Sequence, residues 1–500
     1  MKKARALLLA STAIGLMLAG PAQAADTTEA IQALQAQVEA LQKQLNELQA
    51  QQKAQAKAIK AAPADKKAAA TDGLQKEILP GVKVTLGGFA EVDGIYRSKN
   101  QTSDLTSSFN GGIPFDGVNN AHQHEFRGTA RASRLSLLAA GDPDKDTKLA
   151  AYFETDFLGA APTANSIETN SFTPRLRQAY ATVDRLDWGF HFLGGQAWSL
   201  VTMNKAGITP RKENLPMVID GSMVVGTPYI RTAQLRFVKD FMDKKLWAGL
   251  SLESPQVSFG GITEPAGVDA YNAGGTSMST ANFSTDLAPD IVTKLAFDPG
   301  FGHYEAFGLV RFFHDQITAG FKNHTVVGGG GGIAAILPVL KDKLDIYGTA
   351  MAGKGIGRYG PVLLPDFAFK PNGAIEPLTE YMAMGGIIVH PDPTWDLYVY
   401  AGIEKSFGKD EGANGFGYGS TYAGQNNATC DTTGACTAQT SSVWQVAPGF
   451  WKKIYKGDYG AMQVGAQYSL TRRNTFADIN GVAPHSYINM FFTSLRYSPF

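Results

Sequence analysis

Across most of this chain the hydrophobic positions recur at every second residue. From Val82 the segment Val-Lys-Val-Thr-Leu-Gly-Gly-Phe-Ala-Glu-Val-Asp-Gly-Ile-Tyr-Arg places Val84, Leu86, Ala90 and Val92 on one face and Lys83, Thr85, Glu91 and Asp93 on the other. A period of two marks a β-strand with unlike faces. The pattern returns from Lys148 to Leu158, where Leu149, Ala151, Phe153 and Phe157 oppose Lys148, Tyr152, Glu154 and Asp156. It returns again from Leu246 to Glu253, Leu344 to Gly353, Leu397 to Glu404 and Ala461 to Arg473. Stretches rich in Gly, Asn, Ser and Thr, at 101–120, 260–286 and 407–440, separate these segments as surface loops do, whereas Lys456-Gly457-Asp458 suits a tight turn.

Alternation alone fits two architectures: a soluble sandwich with its apolar face inward, or a membrane barrel with that face toward lipid and the polar one toward water. The N-terminus separates them. Lys2, Lys3 and Arg5 precede an apolar stretch from Ala6 to Ala19 and then Pro21-Ala22-Gln23-Ala24, a secretory signal with an Ala-x-Ala cleavage site. That stretch is too short to span a bilayer comfortably, and nothing after it is long and apolar enough to cross as a helix. The reading is an all-β transmembrane antiparallel barrel in residues 81–500, after a signal peptide in 1–24.

Composition agrees with export to an outer membrane. Hydrophobic residues make up 44% and aromatic ones 10%, there are 55 glycines, and the mean hydropathy is −0.13. Barrel strands dilute their apolar residues by half, so such a chain looks soluble on average. Removing the signal takes three positive charges from 45 and leaves 42 against 45 negative ones, a net of −3, so no basic excess points to nucleic acid. The two cysteines, Cys430 and Cys436, lie in a polar stretch without neighbouring His or further Cys, which favours a disulfide over a metal site.

Residues 25–59 have another period. Ile31, Leu34, Val38, Leu41, Leu45 and Leu48 recur at spacings of three and four, a heptad seam that continues through Gln52 and Gln55 and becomes polar before it ends. Such a stripe calls for partner helices, although β-branched a with Leu at d leans toward two strands and does not by itself specify a trimer. Residues 60–80, rich in Ala and Lys with Pro63 and Gly73, read as a linker.

Enzymatic motifs fail on context. Gly355-Ile-Gly-Arg-Tyr-Gly360 has dinucleotide-fingerprint spacing, but Pro361 and Pro365 stand where a helix should open. His122 and His124 are too few to hold a metal, and no cofactor is indicated. Arginine on strand segments is the candidate chemistry: Arg127, Arg131, Arg134, Arg175, Arg177, Arg236 and Arg311. A guanidinium stays ionised and binds carboxylates through two parallel hydrogen bonds, so several on one wall would form an anion path. The other reading is that they brace loops and pair with Glu125, Glu154 or Asp156. Arg127 and Arg131 share parity and Arg134 does not, so a bulge between them is required if all face the lumen.

Val84 to Phe89, Ala132 to Ser136, Tyr152 to Phe157, Arg175 to Tyr180 and Gly195 to Trp198, with the signal and Gln-rich heptads ahead of them, resemble the DcaP-like trimeric porins of Gram-negative bacteria. The resemblance implies sixteen strands, a homotrimer with periplasmic coiled-coil extensions, and passage of small anions, dicarboxylates among them. The ending, Met490 to Phe500, is similar to the terminal strand that barrel-assembly machinery reads through its final aromatic. It departs from the usual pattern in placing Tyr497 three residues before the end and Pro499 beside it. The competing function is a structural anchor in which the coiled coil contacts peptidoglycan. Some 30 residues of helix reach only about 45 Å, which is short for a tether across the periplasm.

Overall fold

The computed structural model describes residues 74–159, 173–261, 265–273, 282–317, 320–412, 414–422 and 424–499. The signal peptide, the heptad seam and Phe500 lie outside the described residues. The chain forms a closed antiparallel barrel of 16 strands. They are β1 (Val82–Arg97), β2 (Glu125–Thr129 continuing as Arg134–Gly141), β3 (Thr147–Asp156), β4 (Arg175–Arg185), β5 (Phe190–Trp198), β6 (Arg231–Phe241), β7 (Leu246–Glu253) and β8 (Asp290–Phe297). The second half comprises β9 (His303–Ile317), β10 (Lys322–Leu340), β11 (Leu344–Lys354), β12 (Thr379–Val389), β13 (Trp395–Ser406), β14 (Thr440–Gly457), β15 (Gly460–Thr475) and β16 (His485–Ser498). Each strand pairs with the next, and β16 closes on β1 from Ala90↔Tyr497 to Arg97↔Met490.

Closure is what lets such a sheet stand in lipid, because a bare edge would leave N–H and C=O groups without partners there. The faces sort as the alternation requires. On β1, Val92 is 52% exposed on the outside while Glu91 and Asp93 are buried within. On β15, Tyr468 faces out and Gln467, Ser469 and Thr471 face in. Leu135, Leu295, Ile333, Ile387 and Val399 extend the outer apolar band around the wall.

Three local features refine this plan. A short strand, Leu74–Leu79, pairs with the start of β1 (Leu74↔Leu86) along the edge that β16 does not reach. β-Structure therefore begins inside the stretch read as linker. The last paired residue of β16 is Ser498, so Pro499 falls just beyond the ladder, where its missing N–H costs nothing. The glycine run 328–332 on β10 has a steric cause: a Cβ on Gly332 would come within 2.3 Å of the Phe307 ring, and one on Gly328 within 2.6 Å of the Phe313 ring.

Connections are unequal at the two ends. Residues 142–146, 186–189, 242–245, 298–302, 341–343, 390–394 and 458–459 make short turns at the end where β1 begins and β16 finishes. The opposite end carries the long loops, among them 98–124, 199–230, 355–378 and 407–439. In the last of these Cys430 and Cys436 form a disulfide. The same segment is fastened independently, since the Cys430 carbonyl accepts from the Gly117 N–H at 2.9 Å and the Asn427 N–H donates to Asp478 at 2.9 Å.

Candidate functional site

The loop 199–230 leaves β5, enters the barrel and docks on the far wall. Its backbone N–H groups find acceptors there: Val225 donates to Gln445 Oε1 (3.2 Å), Gly226 to Glu404 Oε1 (2.9 Å), Ile219 to Gln467 Oε1 (2.5 Å) and Met217 to the Tyr400 hydroxyl (3.2 Å). Trp451 Nε1 donates back to the Met217 carbonyl at 2.7 Å. Ile219, Val224 and Val225 are buried with Tyr347, Met384, Tyr398, Tyr400 and Trp451 on the inner faces of β11–β14. Each such aliphatic side chain contributes roughly 1.5–3 kcal/mol on burial. Gly226 is required at the contact, because its φ is +87° and a Cβ would lie 2.1 Å from the Ala383 carbonyl oxygen. Glu404 also accepts from the Val362 N–H (3.2 Å), so one carboxylate holds this loop and the loop 355–378 together.

Because the loop fills the side of the lumen next to β11–β14, the open space lies largely against β1–β5. An inner cavity of about 400 Å³ is lined by Phe89, Arg134, Tyr152, Arg177 and Trp198 of the wall and by Arg211, Glu213 and Asp220 of the loop. An outer cavity of about 650 Å³ lies between the loops 98–124, 199–230 and 355–378, and Arg231 and Arg358 line it. Gly221 and Met223 touch the inner cavity and Ser222 the outer one, so this stretch of loop stands between the two.

The arginines singled out in the sequence divide into groups. Arg134 and Arg177 line the inner cavity. The Arg177 Nε donates to Glu154 at 2.6 Å and its Nη1 to Asp156 at 2.7 Å, while Arg134 stands 3.7 Å from Glu154. Arg175 makes a two-bond fork on Asp156 at 3.0 and 2.8 Å. Arg131 ties loops, donating to Asp104 (3.2 Å) and to the carbonyls of Phe157 (3.0 Å) and Gly159 (2.9 Å). Arg127 is half exposed, 3.8 Å from Glu125. Arg236 and Arg311 do not reach either cavity's surface. Arg236 is buried against Gln234 and the Trp198 carbonyl, and Arg311 against Asp366, Asp290 and the carbonyls of Gly355 and Gln256.

β2 explains how Arg127 and Arg134 come to share the inner face. Ile95 opposes Arg127 and Asp93 opposes Thr129, but Phe89 opposes Arg134, so β2 carries one residue more than β1 between the two pairings. The extra residue sits in the turn where Ser133 N–H donates to the Ala130 carbonyl at 3.1 Å. It restores the parity that the spacing lacks.

Four arginines at the cavities escaped the sequence reading: Arg211, Arg231, Arg358 and Arg496. Arg496 forks on Glu91 at 2.9 and 2.9 Å. Arg211 and Arg358 come from loops, where no periodicity marks a side chain as facing the lumen. Arg231 begins β6 and its signal, a basic residue beside the aromatic Tyr229, is too common to single out.

Comparison of the sequence with family models and with curated proteins finds no match. Solved structures do match. The crystal structure of the outer-membrane channel DcaP of Acinetobacter baumannii aligns over 85% of this chain and 99% of its own, at 18% identity and a TM-score of 0.58. The chain has the DcaP fold. An anion-selective porin from Comamonas acidovorans (10% identity, 83% of this chain, 99% of that one, TM-score 0.45) and OmpT of Vibrio cholerae (11%, 84%, 100%, 0.45) are more remote and add no argument.

The loop 199–230 narrows the lumen through its contacts with the far wall, and Glu404→Ala should loosen it. We expect single-channel conductance in planar bilayers to rise and to flicker, with barrel assembly on gels unchanged; an unaltered, quiet conductance would show that Glu404 does not hold the loop. Burial pushes the carboxyls of Glu213 and Asp220 above the usual range. They therefore ionise late as pH rises, and each adds negative charge to the inner cavity. The passage should move toward cations with rising pH and keep moving above about pH 5, where ordinary carboxyls with pKa near 4 have finished ionising. Zero-current potentials across a pH series measure this, and a shift toward anions would contradict it.

Proposed function

We propose that the protein is a porin, an outer-membrane diffusion channel for small hydrophilic solutes, with a preference for anions such as dicarboxylates. The observation that carries the proposal is the loop 199–230, docked across the lumen so that the remaining passage runs beside the arginine-bearing wall of β2–β5. A barrel serving only as an anchor for a periplasmic coiled coil needs no such loop. Charged groups set selectivity where they line the narrow part of a pore, and a low-dielectric wall strengthens their field.

Arg175 and Arg177 stand on Asp156 and Glu154, so replacing both with Gln removes two cations and frees two carboxylates. In the wild type, a salt gradient should give a zero-current potential of the anion-preferring sign, fading as salt rises past about 0.1 M, where the screening length is about 10 Å. The double variant should move toward cations and slow dicarboxylate uptake more than uptake of a neutral sugar. A wild-type channel without anion preference would refute the proposed selectivity; an unchanged double variant would place these arginines in the wall rather than in the path.

The assembly proposed is a homotrimer in outer-membrane lipid, inserted by barrel-assembly machinery, with its N-terminal segment in the periplasm and within reach of peptidoglycan. The barrel walls are the main source of its stability and the coiled coil assists. Deleting residues 26–78 should leave trimers in mild detergent, and recovery of monomers alone would transfer that role to the stalk.

A further inference from the structure

Two guanidiniums at the cavities, Arg211 and Arg231, have no carboxylate within 4.0 Å among the described residues, and of these Arg211 donates instead to the Tyr180 hydroxyl at 3.3 Å. Arg131, Arg134, Arg175, Arg177, Arg358 and Arg496 each stand within 4.0 Å of an acidic side chain. Arg231 makes no such pair among the described residues, and its Nη1 is buried without a hydrogen-bond partner among them. Buried polar groups are satisfied in the large majority of cases, and an ionised donor left alone is the most costly exception. Arg231 is held over the Trp198 ring at 4.9 Å, which fixes the guanidinium while leaving its donors free. It lines the outer cavity. Arg358, which lines the same cavity, makes only long contacts, with the Ser254 carbonyl at 3.4 Å and with Asp290 at 3.5 Å, whose carboxylate is already engaged by Arg311 (3.2 Å) and the Tyr359 hydroxyl (3.0 Å). Among the described residues no acidic side chain lines this cavity, whereas Tyr229, Ile230 and Leu363 do.

We propose that Arg231 is the docking group for the carboxylate of an organic anion in the outer cavity, with Arg358 as a second cation and the body of the solute resting on Tyr229, Ile230 and Leu363. The inference rests on the porin reading and adds a site and a solute class to it. A free guanidinium fork matches a carboxylate in two parallel hydrogen bonds, and a lining of aromatic and aliphatic side chains favours a carboxylate that carries an apolar body over a bare inorganic or one-carbon anion. The wall arginines below, already paired, offer no equivalent vacancy. Solutes are thus selected above the loop 199–230, before they meet the narrow part.

The test is block of chloride current through the full-length channel in a planar bilayer. Phenylacetate added to the side of the long loops should reduce the current at concentrations where acetate does not. Arg231→Gln should raise the half-blocking concentration of phenylacetate by roughly tenfold, as expected for loss of a charge-assisted fork, and Arg231→Lys should fall between. Should Arg231→Gln fail to insert, Ser108→Glu sets a carboxylate at an exposed position of the same cavity and should weaken the block to a similar degree. Equal block by phenylacetate and acetate in an anion-preferring wild type, or block that survives either variant, would overturn the docking site and leave the porin reading standing. A wild type that conducts no ions would overturn the porin reading itself.

Discussion

Backbone hydrogen bonding in lipid is the constraint on which this structure depends. Every N–H and C=O in the membrane must find its partner within the sheet, so the sheet must close, and closure creates an interior that owes nothing to the lipid. That interior accommodates buried carboxylates, guanidiniums and amides on the strands because a folded loop, and water, meet them there. Glu404, Gln445 and Gln467 act on this principle. Each is an inward strand residue, and each offers an acceptor to a backbone N–H of the loop 199–230, which could otherwise not leave water.

The same division of faces accounts for the asymmetry of the lumen. β11–β14 carry Tyr347, Met384, Tyr398, Tyr400 and Trp451 inward, an apolar bed that the loop covers with Ile219, Val224 and Val225. β2–β4 carry arginines and carboxylates inward and remain uncovered. The open passage is therefore not central but pressed against the charged wall, which is where neutralised pairs such as Arg177 with Glu154 and Asp156 stand.

How much of this was legible in the sequence follows from the range of the forces involved. Strands with one face in lipid and one in a polar lumen declare themselves by alternation, and β1, β3, β7 and β15 were readable within a few residues. β10 was not, because Gly328 and Gly332 are set by Phe313 and Phe307 on the neighbouring strand, and a glycine run has no period. The arginines were visible as residues but not as roles. Whether Arg175 is a free cation or a clamp depends on Asp156 standing opposite it across β3 and β4, a matter of register. Arg231 was missed because its distinction is the lack of a partner. The docking of the loop 199–230 could not be read at all, since its acceptors lie some 180 to 250 residues further along the chain.

One carboxylate, Glu404, holds two loops, the inner one at Gly226 and the outward one at Val362. The two are therefore mechanically coupled. A force on the loop 355–378 acts through the same Glu404 oxygen that holds the loop 199–230 in the lumen.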